Sequence, residues 1–282
     1  MITKIDSNNK SCGLGDVICT LPYVELYRQQ TGNEVWFDTK HSIESLVKNT
    51  YPHIKFGSPQ VYDECKIIQF FPEIPMRRSV TNVLGMDYIE LDPKVDVNIG
   101  PRHIKQKYVT LSIHSTHQGR YWNYRDGWNI LVKELKSKYK LSVVCIDKHL
   151  VFGNKKNMNE IPNNVIDRCG IELHDAINYM YHSEFHIGLS SGLSWLAHAV
   201  GKPVVVMKSV TEDWFEFTKN MICVNNENVC HGCINNVPGT IDRLDDWMLC
   251  PVHQNTDRIF ECSKSITPRM FLDKMKPLLT YG

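Results

Sequence analysis

"HIGLSSGLSWLAHAVGKPVVVM", residues 186 to 207, packs a strand, a turn of small residues, a helix, a Gly-Lys-Pro stop and a second strand into one short stretch. That order predicts a βαβ unit and therefore a parallel sheet. The turn carries a chemical implication of its own. Ser190, Ser191 and Gly192 lie where the backbone N–H groups of a helix N-terminus point outward, and such groups bind anions. Gly192 would let an anion approach closely, and in open parallel sheets ligands collect at the carboxyl ends of strands, where this turn sits. The alternative use of the same serines is as helix caps.

Working outward, the alternation continues. "NEVWFDT" is followed by "SIESLVKNT", and "YVTLSIHS" by "GWNILVKELKSKY", "LSVVCID", "DAINYMYHS" and "EFHIGLS". The 282 residues favour two domains. "DPKVDVNIGPRHIKQK" has two prolines and no sustained period, so the expected division lies near residue 103, giving an N-terminal domain 1–103 and a C-terminal domain 104–282. Past residue 210 the alternation stops, and the polar stretch to about residue 264 is expected to form no sheet of its own. "ITPRMFLDKMKPLL" is expected to be a final helix.

Hydrophobic content of 42% and charge of 22% are those of an ordinary globular protein. No apolar run is long enough to cross a bilayer, and the N-terminus lacks the apolar core of a signal peptide. The expected compartment is the cytoplasm, of a bacterium or a phage-infected host, where the ten cysteines should stay reduced. The net charge of +1 is unevenly spread: residues 101–156 carry twelve basic and three acidic side chains, residues 1–100 ten basic and thirteen acidic. A basic block suits polyphosphates or nucleic acid. In "LVKELKSKYK" the same charges also fit a solvated helix face.

Two further clusters open helices after buried strands. In "SIHSTHQGRYWNYRDGW", Ser115 and Thr116 offer hydroxyls and Arg120 a permanent positive charge for a leaving phosphate. Trp122 and Trp128 read as core anchors. In "SCGLGDVICTLPYVELYRQQTG", Gly13 and Gly15 suggest a tight turn, with Asp16 at the helix start. Asp16 is either a cap or, with another domain opposite, a catalytic group. Finally, Cys230, Cys233, Cys250 and Cys262 are separated by two, sixteen and eleven residues, a pattern that can close a tetrahedral zinc or iron site. His231 and His253 are possible substitutes. The remaining cysteines read as small buried hydrophobes.

The three clusters, in this order, resemble the heptosyltransferase group of two-domain sugar transferases with the GT-B fold. "GLGDVICTLP" resembles its Gly-Asp motif, "STHQGRYWN" its basic motif and "GLSSGLSWLAHAVGKPVV" its donor-phosphate motif. "CHGC", "DWMLCP" and "FECSKSITP" are similar to the autotransporter heptosyltransferases, which carry a four-cysteine iron finger, here at about 223–264. The resemblance implies an α/β fold of two Rossmann-like domains with a donor cleft between them. It makes Asp16 the general base and puts Arg120 at the position of a phosphate-neutralising lysine. Ser191, Gly192 and Leu193 fall on the donor-diphosphate turn, with Gly15, Ser115, Thr116 and Ser190 counted in the donor site.

The implied activity is inverting transfer from a nucleotide-diphosphate sugar to a macromolecular hydroxyl. Such transfer needs a base on the acceptor and positive charge or N–H dipoles on the departing diphosphate. The motif begins near residue 12, so the extra N-terminal region of the autotransporter enzymes is expected to be missing. That expectation leaves two acceptors side by side, a protein Ser/Thr and a hydroxymethylated DNA base of phage type, the second suited by the basic segment. A nucleic-acid-binding module with a structural metal finger is the competing class. It has no need of Asp16 opposite Arg120.

Overall fold

The structure is a computed structural model and describes residues 1–8 and 12–279. The elements run β1 (Ile2–Asp6), α1 (Leu14–Thr31), β2 (Glu34–Asp38), α2 (Glu44–Val47), β3 (Lys55–Phe56), β4 (Glu64–Ile67) and α3 (Met76–Leu84). After a crossing segment without regular structure come β5 (Tyr108–Leu111), α4 (Gly127–Tyr139), β6 (Ser142–Cys145), β7 (Val151–Asn154), β8 (Asn157–Glu160) and β9 (Ile166–Asp167). Then follow α5 (Leu173–His182), β10 (His186–Leu189), α6 (Gly192–Ala199), β11 (Val204–Met207) and β12 (Met221–Val224). Last are α7 (Cys233–Asn236), α8 (Glu261–Lys264) and α9 (Pro268–Met275).

β5, β10 and β11 are buried at every position, as strands covered by helices on both faces must be. They lie inside a parallel sheet of order β12-β11-β10-β5-β6-β9, while the first half forms a second parallel sheet of order β3-β2-β1-β4. This is the α/β, GT-B-like architecture of two Rossmann-like halves. The strands β1, β3, β4, β7, β8, β9 and β12 were not foreseen. β7 and β8 form an antiparallel hairpin, and β12 pairs in register with β11, Val204 to Met221 through Met207 to Val224. Hence Cys223 and Val224 belong to the large sheet, and the cysteine segment starts after them.

The strand order decides where a ligand can sit. In the large sheet the winding direction reverses between β5 and β10, and in the small one between β1 and β4. Crevices at the carboxyl ends of strands open at such switch points. The loops leaving β1, β5 and β10 are the three motif clusters.

The two halves meet at α1 and α6. A Cβ on Gly15 would lie 2.7 Å from Trp195 Cδ1 and 3.4 Å from Gly192 Cα; a Cβ on Gly192 would lie 2.7 Å from Leu14 Cβ and 3.1 Å from the Gly15 nitrogen. Gly15 therefore serves close packing inside the first turn of α1, where the sequence had suggested a tight turn. Trp195, 2% exposed, continues one apolar core from α1 and Ile5 across to Phe215 and Phe217. Around it Asp92, in the crossing segment, ties Arg77 of α3 (2.9 Å), His198 of α6 (3.1 Å) and Lys219 (3.0 Å).

Gly15→Ala should therefore cost roughly 1–3 kcal/mol of stability, the usual price of overpacking, because neither Trp195 nor the Gly192 backbone has room to yield. Urea unfolding measures it; a wild-type midpoint in the variant would show that the helices do not depend on this contact.

Candidate functional site

The N-terminus of α1 holds the first functional side chain. Gly13 is the N-cap, and its N–H donates to Asp16 Oδ2 at 2.6 Å, so Asp16 occupies the third position of a capping box. The carboxylate does more than cap. The protein packed around it pushes its pKa up to about 6; the Gly13 N–H, Arg120 and Lys40 oppose that rise, and Glu216 adds to it. Burial wins over the helix terminus, which acting alone would make Asp16 a weaker base. Of these influences, Arg120 and Glu216 come from the C-terminal half and Gly13 and Lys40 from the N-terminal half.

Arg120 closes a 3-10 turn, Gln118–Arg120, and its Nε is buried without a hydrogen-bond partner. The turn is held from several sides. Tyr121 Oη donates to the Ser115 carbonyl at 2.8 Å, and Asp147 accepts the N–H groups of Ile113 (2.7 Å) and His114 (3.2 Å). Gln118 N–H donates to the Trp247 carbonyl at 3.0 Å, and Ser209 Oγ to the Gly119 carbonyl at 2.7 Å. Beside Arg120 the buried His117 stays neutral, its pKa pushed down to about 4 by burial and then by the guanidinium. Ser115 is buried and Thr116 exposed at the mouth of this loop. Trp122 and Trp128 anchor the core, their rings 4.8 Å apart at 88°.

In the turn before α6 neither serine acts as a side-chain cap for the helix. Ser191 is the N-cap residue without a capping side-chain bond, and Ser190 Oγ donates to Glu216 Oε1. Ser191, Gly192 and Leu193 thus present backbone at the helix start, and Leu193 packs partly against the shared core. Sequence reasoning missed what lies behind the turn. Lys208, fully buried at the end of β11, sits 3.6 Å from Glu216 Oε2 and donates to the carbonyls of Glu212 (3.1 Å) and Asp213 (3.2 Å).

A cavity of about 650 Å³ opens at the carboxyl end of β2. Lys40, His41, Ser42, Lys48, Asn49 and Phe56 help to line it. The His41 ring donates to the Cys12 backbone, so the cavity wall is tied to the loop that delivers Asp16.

All four cysteines of the finger line one cavity of about 10 Å³ with Ser209, Val210 and Phe260, a space the size of a single small sphere. Burial and mutual repulsion raise the pKa of Cys230 and Cys262 and push that of Cys233 up to about 12. Backbone N–H groups nonetheless point at the sulfurs: Phe260 at Cys250 (3.5 Å), Cys262 at Cys230, Ile234 at Cys233 and Ser263 at Cys262. Crowded thiols with converging N–H donors fit a bound cation, which removes the repulsion and favours thiolates. The expected four-sulfur set is not what converges most closely: among the described residues, the ligand atoms that lie within 4.8 Å of one another are those of Cys230, His253 and Glu261. Glu261 had no signal in the sequence.

The relatives agree with this geometry. The chain is 31% identical over 286 residues to the autotransporter heptosyltransferase Aah of Escherichia coli, covering 95% of this chain and 72% of Aah. It is 32% identical over 272 residues to the autotransporter heptosyltransferase TibC of E. coli O78:H11, 90% of this chain and 66% of TibC. The chain belongs to the autotransporter heptosyltransferases. It is, with them, a glycosyltransferase. The crystal structure of TibC, an iron-containing dodecameric glycosyltransferase, matches with a TM-score of 0.88 at 29% identity, over 98% of this chain and 75% of TibC's. TibC has also been solved with ADP-D-β-D-heptose, and that structure matches at a TM-score of 0.87. An inactive autotransporter heptosyltransferase, BimC of Burkholderia thailandensis, is 24% identical over 275 residues, 90% of this chain and 64% of its own. No protein-family model matches the chain. Among the described residues no helix is long and apolar enough to cross a membrane.

The finger touches the Arg120 turn through Trp247, and Ser209, which lines the cysteine cavity, bonds the same turn, so metal loss should reach Arg120. Purified protein is expected to carry about one ion per chain. Cys233→Ser and Cys250→Ser should remove it, lower the melting temperature and depress activity. His253→Ala, measured by elemental analysis beside them, should keep the ion; loss there with retention in Cys250→Ser would reassign the site to Cys230, His253 and Glu261.

Proposed function

We propose that this glycosyltransferase moves a heptose from ADP-heptose to a Ser or Thr hydroxyl of a protein, with inversion at the anomeric carbon. The observation that carries the reading is the meeting of Asp16, Arg120 and the α6 N-terminus where the two halves touch. TibC's complex with ADP-D-β-D-heptose supports the choice of donor, and the family supports a protein acceptor. The division of labour follows the sheets: residues to about 103 face the acceptor, and residues 104 onward bind the donor.

In this mechanism Asp16 takes the acceptor's proton as the hydroxyl oxygen bonds to the anomeric carbon. The bond from that carbon to the diphosphate oxygen breaks on the opposite face. Arg120, the hydroxyls of Ser115 and Thr116 and the N–H groups of Ser191, Gly192 and Leu193 stabilise the departing ADP. The cavity beside Lys40 and His41 receives the polypeptide around the target residue. TibC is iron-containing, which supports iron here; Cys230, Cys233, Cys250 and Cys262 would hold it. A fully ligated ion of this kind staples loops and takes no part in transfer.

The basic segment gives less support to a DNA acceptor than its charge count suggests. Lys136 donates to the Asn164 carbonyl at 2.8 Å, Lys138 pairs with Glu134 at 2.5 Å, and Lys140 donates to the Ser137 carbonyl at 2.8 Å. These lysines decorate the outer side of α4, as a solvated helix face does.

Asp16→Asn should retain ADP-heptose binding, read as a thermal shift, and lose transfer by ~100- to 10,000-fold. In the wild-type enzyme the base must be deprotonated, so kcat/KM should hold above pH 6 and fall about tenfold per unit well below it. Incubation with ADP-heptose and, in parallel, an autotransporter passenger protein and hydroxymethylated duplex DNA tests the acceptor. Mass spectrometry should find the sugar on Ser or Thr; sugar on the DNA would replace the protein reading, and an active Asp16→Asn would remove Asp16 from the mechanism.

A further inference from the structure

Behind the donor turn the structure buries an ion pair that the mechanism above does not use. Lys208 has no exposed side-chain surface, and Glu216 only 7%. Two buried, opposite charges next to a ligand turn call for a reason, since an apolar pair would fold at least as well. Their placement supplies one. Glu216 Oε1 accepts from Ser190, whose hydroxyl is itself 3.4 Å from Thr211 Oγ1. Ser190 is two residues from Gly192, and Gly192 lies against Leu14 and Gly15 at the head of the helix that carries Asp16. Glu216 Oε2 has no hydrogen-bond donor and faces Lys208. The peptide before Glu216 is fixed from the other half, where Met76 N–H donates to the Phe215 carbonyl at 2.9 Å.

We infer that Glu216 is a positioning residue for transfer: one oxygen fixes the donor turn through Ser190, while its charge, anchored by Lys208, faces the carboxylate of Asp16 across the domain junction. The inference rests on Asp16 being the base. A fixed anion near a carboxylate makes that carboxylate hold a proton more tightly, hence a stronger acceptor for the hydroxyl's proton. The groups facing Asp16 divide by sign. Arg120 and Lys40, from the loops after β5 and β2, weaken it as a base, together with the Gly13 N–H; burial and Glu216, from the loop after β11, strengthen it. Cys19, one turn along α1, is buried and neutral, its pKa raised. Glu216 is thus the one negative side chain in this set, set against two cations.

The test is the acid limb of kcat/KM. Glu216→Gln keeps an oxygen for Ser190 and removes the charge. The limb should move to lower pH, raising the rate at pH 5 relative to pH 8 by about threefold, the effect of a half-unit change, with donor KM little altered. Ser190→Ala should do the reverse, raising donor KM and leaving the limb in place. A folded Glu216→Gln enzyme with the wild-type limb overturns the inference, as does a Ser190→Ala enzyme whose limb moves equally. Should Glu216→Gln fail to fold with Lys208 left unpaired, the double variant with Lys208→Met removes both charges. It should show a smaller shift in the same direction, and no shift or an opposite one overturns the inference. An active Asp16→Asn sinks the base itself; an inactive Asp16→Asn with an unmoved limb in Glu216→Gln sinks only the role given to Glu216.

Discussion

The approach of Gly15 to Gly192 and Trp195 is the constraint on which the site depends. Two parallel sheets each open a crevice at their own switch point, and either crevice alone would be an ordinary loop surface. Pressing the start of α1 against the start of α6 puts Asp16, from one sheet, within reach of the donor turn and Arg120, from the other. Side chains larger than hydrogen at 15 and 192 would wedge the helices apart. The shared core through Trp195, His198 and Phe217 then closes behind the contact, with His198 and Phe217 stacked at 4.2 Å. The two halves meet here through a largely apolar interface, with the Asp92 ion pairs beside it.

In the site each charge is set by its supports. Asp16 is pulled towards ionisation by Gly13, Arg120 and Lys40 and away from it by burial and Glu216, and the balance falls near neutral pH. Arg120 owes its position to a turn with few contacts of its own. It is latched by Trp247 and Ser209, while Asp147 fixes the backbone at Ile113 and His114 where the loop leaves β5. The cysteine segment therefore reaches the reaction by mechanics: its thiols organise the chain around Trp247, and Trp247 holds the turn.

Much of this was legible in the sequence because it rests on local pattern. "GWNILVKELKSKY" is α4 residue for residue, and the helix in "GLSSGLSWLAHAVGKP" ends where Gly201 takes a left-handed conformation, φ +85°. What stayed hidden depends on partners far along the chain. β12 is four residues in a polar setting, and it is a strand because β11 offers a free edge. Gly15 looked like a turn former because a sequence does not show Trp195 leaning on it. Glu216 sits in "TEDWFEFTKN", which carries no motif; only the fold brings it to Ser190 and beside a buried lysine.

The basic segment teaches the same point in the opposite direction. Counting charge treats every lysine as available to a partner, but an ammonium has three donors to satisfy and will use a nearby carbonyl when no anion is present. On α4 the lysines at 136 and 140 find carbonyls, and the one at 138 finds Glu134. The cations that count for function are few and are chosen by depth and geometry: Arg120 at the junction and Lys40 at the cavity mouth. A permanent guanidinium at the first suits a diphosphate whose charge grows as its bond to the sugar breaks. At the second, an ammonium lines an open cavity. The asymmetry of the two sites is one of enclosure: a guanidinium with its Nε buried in a braced turn on one side, and an ammonium at an open cavity on the other.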